Sequence, residues 1–339
     1  MVAFDPSAAA GPDSGIFGLP HTEQDAAVVL VPVPFAATVS YGGGAERGPD
    51  AILAASRQVD LYDHQYGRVF ERGIHMLEAD PILSMMHAQT RALCAPIVER
   101  GGAVAGDEEA LQAIETAGAL VNAIAHGTTT QLLAAGKIPG IVGGDHSVPL
   151  GAIRAAAEAY PGLGVLHLDA HADLRVAYEG FRFSHASIFD NVLRDVPAVA
   201  RLVQVGIRDF SEDELRAIHA SGGRVVTHFD QEWQRRRFGG ETFDALCKEA
   251  IAALPHHVWL SCDIDGLDPS LCPNTGTPVP GGLSFAEFAH LLSTVVASGR
   301  HVVGFDLVEV APGADEWDAN VGARVLYKLC GAALASRSG

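Results

Sequence analysis

Short apolar, β-branched runs alternate with longer stretches of helical periodicity along almost the whole chain. That alternation narrows the fold more than any other feature. The runs fall at Ala27–Val33, Ile141–Gly143, Gly164–Asp169, Leu202–Gly206, Val225–Phe229, Val258–Asp263 and Val302–Leu307. Helical patterns occupy Pro49–Asp60, Glu108–Ala135, Val148–Ala159, Glu212–Ser221, Glu241–Leu254, Phe285–Ala297 and Asn320–Ser336. Several of the runs are apolar throughout, as befits strands covered by helices on both faces. The expectation is an α/β fold with a mainly parallel sheet between helical layers; strand order is not readable. No repeat, linker or composition break divides the 339 residues. A single domain over residues 26–339 is therefore expected, after an Ala-, Gly- and Pro-rich flexible arm over residues 1–25.

A formal net charge of −18 argues against nucleic acid or an anionic membrane surface as partner. It would suit a cationic substrate, and solubility alone explains it equally well. The five cysteines are scattered, odd in number and form no CxxC, which fits a reducing, cytoplasmic compartment better than a disulfide framework. No apolar run reaches the ~18–20 residues of a membrane helix. The N-terminus has neither the basic nor the apolar region of a signal peptide.

The chemistry concentrates where strands end. In His167-Leu168-Asp169-Ala170-His171-Ala172-Asp173, period-two alternation sends Asp169, His171 and Asp173 to one side, at the sheet edge where open α/β folds place their sites. Ser261-Cys262-Asp263-Ile264-Asp265-Gly266 ends a second strand with two acids on one face. In Gly143-Gly144-Asp145-His146-Ser147, two glycines permit a tight turn and Ser147 is placed to cap the following helix. Three ligand-type residues at period two make a merely solvated strand end a weak explanation of the first motif, whereas the second and third alone are more often structural or solvated than metal-binding. Together they offer two imidazoles and four carboxylates, a convergence of acids that needs counter-charge. Two divalent cations supply it. Oxygen-rich ligation favours Mn²⁺ over Zn²⁺, and such a pair lowers the pKa of a shared water toward neutrality. Glu309, within Gly304–Pro312, could pair bidentately with a planar guanidinium, and an exposed strand-end glutamate explains that segment equally well. His185 could relay a proton. Tyr41–Gly48 lacks the spacing of a phosphate-binding fingerprint and reads as a structural loop.

GGDHS, LDAHADLR, SCDIDGLDPS, TGTPVPGGLS and GFDLVEVAP, with the early VPVPFAATVSYGGGAERGPDAI, resemble the arginase/agmatinase (ureohydrolase) family in order and spacing over roughly Val31–Cys330. The resemblance implies a three-layer α/β/α domain with an eight-stranded parallel sheet. It implies one metal held by His146, Asp169, Asp173 and Asp263, and a second held by Asp169, His171, Asp263 and Asp265, with Asp169 and Asp263 shared. It implies Mn²⁺, with Ni²⁺ or another divalent ion as alternatives. Glu309 would bind the guanidinium and His185 would relay the proton, with Asp173 beside them at the reacting edge. Homotrimers or homohexamers are implied as well.

The substrate stays open. Arginases typically follow the DAHxD motif with Asn, where this chain has Leu174-Arg175, and Ser211 stands where they place an acid. Agmatinases usually carry His-Gly-Thr around the relay histidine, against His185-Ala186-Ser187 here. The Asp173-Leu174-Arg175 ending is similar to formimidoylglutamases, which typically lack the relay histidine. In the loop Arg175–Phe183, Arg175 could read a carboxylate tail and Glu179 an ammonium tail, with Tyr178 and Ser211 as further tail contacts. An agmatinase-like activity is the reading the motifs favour. Formimidoylglutamase, guanidinobutyrase, arginase and peptide arginase are its alternatives. A zinc deacetylase of related architecture would have no use for both His171 and Asp265. A metal-binding pseudo-enzyme scaffold would hold metal and release no urea.

Overall fold

The computed structural model describes residues 4–11 and 13–337. Its centre is one eight-stranded, all-parallel sheet: β1 (Val28–Val33), β2 (Ile74–Met76), β3 (Ile138–Gly143), β4 (Leu163–Leu168), β5 (Val199–Ile207), β6 (Val225–Phe229), β7 (His257–Asp263) and β8 (His301–Val308). The strands lie side by side in the order β2-β1-β3-β8-β7-β4-β5-β6. β1 to β3 thus build one side of the sheet with β2 at the edge, β4 to β6 build the other with β6 at the edge, and the two last strands fill the gap between β3 and β4. This is the topological switch point at which open α/β sheets bind ligands.

The burial of β1 shows why the sheet needs two helical layers. Val28 and Leu30 join one apolar cluster, with Leu246, Phe288 and Val325 of the helices Phe243–Ala252, Phe285–Ala297 and Trp317–Ala335. Val29, Val31 and Val33 join the other, with Leu83, Val121, Ile153 and Val192 of Pro81–Glu99, Glu108–Ala134, Leu150–Ala159 and Ile188–Asp195. Successive side chains face opposite ways, so a fully apolar strand is stable only when both faces are covered.

Seven of the strands coincide with the expected runs within a few residues. β2 was absent from that reading, as were the helices Pro81–Glu99, Ile188–Asp195 and Asp230–Phe238. Residues 1–25, expected as a flexible arm, include a packed segment. Met1–Ala3 and Pro12 lie outside the described residues, but Ile16, Phe17 and Leu19 are buried. The Phe17 ring packs edge-on against Tyr327 at 4.8 Å, and its N–H donates to Ser56 Oγ. Apolar side chains, which composition averaged away, anchor this segment.

Candidate metal and guanidino site

The ends of β3, β8, β7 and β4 stand level: Val142 pairs with Leu307, Leu307 with Cys262, and Cys262 with Leu168. The loops that follow therefore open into one cavity of about 160 Å³. His146, His171, Asp173, Asp263, Asp265 and Glu309 line it, with Arg175, Tyr178 and His185 at its other walls. Asp169 lies beneath, within hydrogen-bonding distance of both His146 and His171. The backbone makes this approach close. A Cβ on Gly144 would sit 2.0 Å from the carbonyl oxygen of Phe35, so only glycine fits two residues before His146. The acids do not converge by strand alternation alone, because β4 ends at Leu168. Asp173 adopts a left-handed φ of 53°, and Glu309, just past β8, a φ of 62°. Such backbone costs of order 1–3 kcal/mol and is retained where it aims a side chain.

Two groups of donors result. His146 Nδ1 lies 3.0, 3.1 and 3.3 Å from carboxylate oxygens of Asp169, Asp173 and Asp263. His171 Nδ1 lies 3.4 Å from Asp169 and 3.1 Å from Asp265. These spacings are close to the roughly 3 Å octahedral edge around a small divalent cation. Three of the acids hold one oxygen on the backbone and turn the other inward. Asp169 Oδ1 accepts from His171 N–H, Asp265 Oδ1 from Ala170 N–H, and Asp263 Oδ1 from Asp265 N–H.

Without a cation the cluster holds protons. Burial and the neighbouring Asp169 push the Asp173 carboxyl up to about 7. Burial and the charges of Asp265 and Asp169 hold Asp263 well above the carboxylate range. Burial works against the charged His171, but Asp265 and Asp169 outweigh it and raise the imidazole to about 12. His146 rises well above its usual value in the same way, through Asp169, Asp173 and Asp263. Protons thus stand between the donors where cations would neutralise the same charge, and the donor set fits a binuclear divalent centre.

Residues beneath the site orient the donors, and several escaped the sequence reading. Ser261 Oγ donates to Asp306 Oδ1 at 2.9 Å, so its lone pair faces His146 Nε2 at 3.0 Å. That keeps a proton on Nε2 and turns the Nδ1 position toward the carboxylates, as outer partners of metal-binding histidines do. Asp306, fully buried, also accepts from Trp259 Nε1 and Cys262 N–H. His167 works likewise: Gln204 Nε2 donates to its Nδ1, and its Nε2 donates to Asp169 Oδ2 at 2.8 Å. Neither partnership leaves a local motif.

The other candidates separate clearly. Glu309 Oε1 accepts from His146 N–H at 3.0 Å, and burial, with Asp145 nearby, raises its carboxyl well above the usual range. A cationic guanidinium would return it to the anion. His185 N–H donates to Thr38 Oγ1, and that hydroxyl donates to Asp145. Burial lowers the His185 imidazole to about 4, against the opposing pull of Asp145, so it is neutral at pH 7. Arg175 and Tyr178 line the cavity together, the guanidinium 4.8 Å over the phenol ring. Three expectations fail. Ser211 is absent from the cavity lining and caps the helix Glu212–Ala220 with Glu214 in a reciprocal pair. Glu179 lies in a left-handed turn outside the cavity lining. Ser147 does not cap the next helix: its hydroxyl and N–H both go to Asp145. In compensation, Asp209 and Glu214 line the cavity; Asp209 stood in the segment used to place Ser211 without being given a role, and nothing in its local sequence marked Glu214.

An all-parallel, doubly covered sheet whose central strand ends carry a His/Asp cluster over a small polar cavity describes a binuclear-metal hydrolase. The chain belongs to the arginase family, hydrolases of linear amidine carbon–nitrogen bonds: the sequence pattern defining that family matches residues 26–331. It is 35% identical over 319 residues to the N(1)-aminopropylagmatine ureohydrolase of Thermus thermophilus, covering 93% of this chain and 94% of that protein. It is 30% identical to an agmatinase of Bacillus anthracis, over 87% of each chain. Among solved structures, the proclavaminate amidinohydrolase of Streptomyces clavuligerus superposes with a TM-score of 0.75 at 27% identity, over 98% of this chain and all of that one. No helix among the described residues is long and apolar enough to cross a membrane.

Proposed function

We propose that this protein hydrolyses a guanidino compound with a cationic tail, of the agmatine or aminopropylagmatine kind, to urea and an amine at a two-manganese centre. The observation that carries the tail assignment is the charge balance at the cavity mouth. The Arg175 guanidinium is taken up by Glu214, 3.6 Å away, and by the Tyr178 ring. Asp209 lines the same cavity, is exposed to solvent, and has no hydrogen bond or ion pair from its carboxylate among the described residues. A carboxylate left over beside a neutralised arginine selects an ammonium. The names of the relatives agree: three N(1)-aminopropylagmatine ureohydrolases and several agmatinases. A second reading, a carboxylate-tailed guanidino acid, rests on Arg175 itself and on the proclavaminate amidinohydrolase and guanidinobutyrase relatives.

In this reading His146, Asp169, Asp173 and Asp263 hold one ion, and Asp169, His171, Asp263 and Asp265 the other. When bound, the ions supply a neutral-pH water nucleophile and Lewis-acid polarisation. Oxygen-rich ligands favour Mn²⁺. Glu309 orients the planar guanidinium over the donors. His185, neutral and held by Thr38, accepts a proton and passes it to the departing amine. Tyr178 and the Arg175–Glu214 pair wall the tail channel, and Asp209 receives its ammonium. Ser211 and Glu179 have no part in it.

The test is urea release by Mn²⁺-loaded protein from agmatine, its N-aminopropyl derivative, 4-guanidinobutyrate and arginine, before and after Asp209→Asn. The expected result is turnover of the cationic-tailed compounds. Their KM should rise roughly fivefold in the variant, the value of about 1 kcal/mol for an exposed ion pair. Turnover of 4-guanidinobutyrate alone would replace this reading with the second. No urea from any of the four, with two metals verified, would overturn both readings of the tail and leave a different substrate or a non-catalytic scaffold.

A further inference from the structure

A second histidine cluster lies at the far end of the same two strands. His257 begins β7 and His301 begins β8, and they are register partners. Asp263 and Glu309, by contrast, follow the other end of those strands. Six residue rises at ~3.3 Å put the two ends roughly 20 Å apart. His256 precedes His257, and its carbonyl accepts the His301 N–H at 2.8 Å, so the backbone locks all three residues together. Ring centroids are separated by 4.9, 5.8 and 6.1 Å. One ring nitrogen from each lies within 4.8 Å of the others.

We propose that His256, His257 and His301 form a separate three-imidazole site for a first-row transition cation of the zinc class. Three observations favour this over three surface histidines that merely adjoin. No ring nitrogen of the three hydrogen-bonds to a protein group among the described residues, so their lone pairs are available. His257 and His301 are register partners on adjacent strands, so the sheet itself brings their rings together. The guanidinium of the nearby Arg337 is engaged by the carbonyls of Val302 and Val303. His257 also packs against Tyr160, at 4.8 Å, which fixes one wall. A tetrahedral ion with N-ligand bonds of ~2.0–2.1 Å would draw the rings together by about 1 Å. Side-chain rotation accommodates that at His256, which is exposed, and at His301, which is half-buried.

The chemistry of the two sites differs. All-nitrogen ligation suits Zn²⁺, Ni²⁺ or Cu²⁺, whereas the cavity's carboxylates suit Mn²⁺. Three protein ligands leave a fourth position for water or another group. An ion there would clamp the loop before β7 to the start of β8.

The experiment counts total metal per chain by atomic emission, after Mn²⁺-loaded protein is dialysed against Zn²⁺. Wild type, His256→Ala and His301→Asn are compared, with urea release from agmatine as a check on the distant site. Wild type should retain three ions and each variant two, with urea release after Mn²⁺ loading unchanged. Losing one imidazole should weaken the third ion at least tenfold, since even outer partners of a ligand are worth that much. His256 is exposed, so its variant folds even where His301→Asn does not. Two ions in wild type, or three in either variant, would overturn the proposal.

Discussion

Replacing Ser261 by alanine isolates the device that presents His146 to the cluster. The serine carries no metal and touches no substrate, yet its hydroxyl is the only described contact of His146 Nε2. His146 is 1% exposed, so no water replaces that contact cheaply. The alanine variant leaves a buried N–H unsatisfied, at a cost of about 1–3 kcal/mol. It also strips one of three donors from Asp306, which keeps those of Trp259 and Cys262. The same energy appears in the affinity for metal. Freed from its partner, the imidazole no longer favours the tautomer that offers Nδ1 to Asp169, Asp173 and Asp263. Outer partners of ligating histidines are worth 10–100-fold in metal affinity, and tenfold is about 1.4 kcal/mol, so the two estimates agree. Titration of metal-free protein with Mn²⁺ by calorimetry should show that loss for one of the two ions. Urea release at saturating Mn²⁺ should stay within several-fold of wild type. A denaturant midpoint measured in parallel verifies that the variant folds. Manganese affinity within twofold of wild type, in a folded variant, would show that Ser261 does not set the tautomer.

His185→Ala should slow urea release at least about 10²-fold with little change in KM, because the neutral imidazole serves proton transfer rather than binding; an unaltered turnover number would make the residue structural. The charge state of the cluster makes metal uptake pH-dependent with a definite sign. In the metal-free protein the carboxylate neighbours raise both imidazoles, His146 well above its usual value and His171 to about 12, and below about 7 Asp173 takes up a further proton. Each group's pKa is raised in the metal-free fold, so protons compete with the cation and affinity falls as pH falls, tenfold per pH unit for each proton displaced. Calorimetry in buffers of different ionisation enthalpy should find at least two protons released at pH 8 and more at pH 6; no release at either pH would disprove this account of the cluster.

The alternation of apolar runs and helical patterns carried most of the architecture, because central strands buried on both faces have an unmistakable composition. β2 carried no such signal: three residues at a sheet edge are too few for a period to show. The six proposed metal donors were readable because strand ends present them in short motifs. Their geometry was not, since Asp173 reaches the cavity through a left-handed backbone turn and not through strand alternation. Ser261, Asp306 and Gln204 act through contacts spanning 37 to 115 residues, which no local pattern encodes. Ser211 misled for a related reason. Its capping partner Glu214 lies three residues on, and the cap, rather than any substrate, fixes where the serine points.

The strand order has a consequence for how the molecule is made. β8 is the last strand in the chain, yet it sits between β3 and β7 in the middle of the sheet. Until residues 301–308 leave the ribosome, a nascent chain can build only two part-sheets, one ending at β3 and one at β7, each with an open, apolar edge. Docking β8 zips the halves together and delivers Glu309 last. His146 follows β3 on one half, while Asp169, Asp173 and Asp263 lie on the other, so the proposed donor set that contains His146 is completed only when β8 docks, and the interval in which both edges stand open is when the chain is most exposed to misassembly.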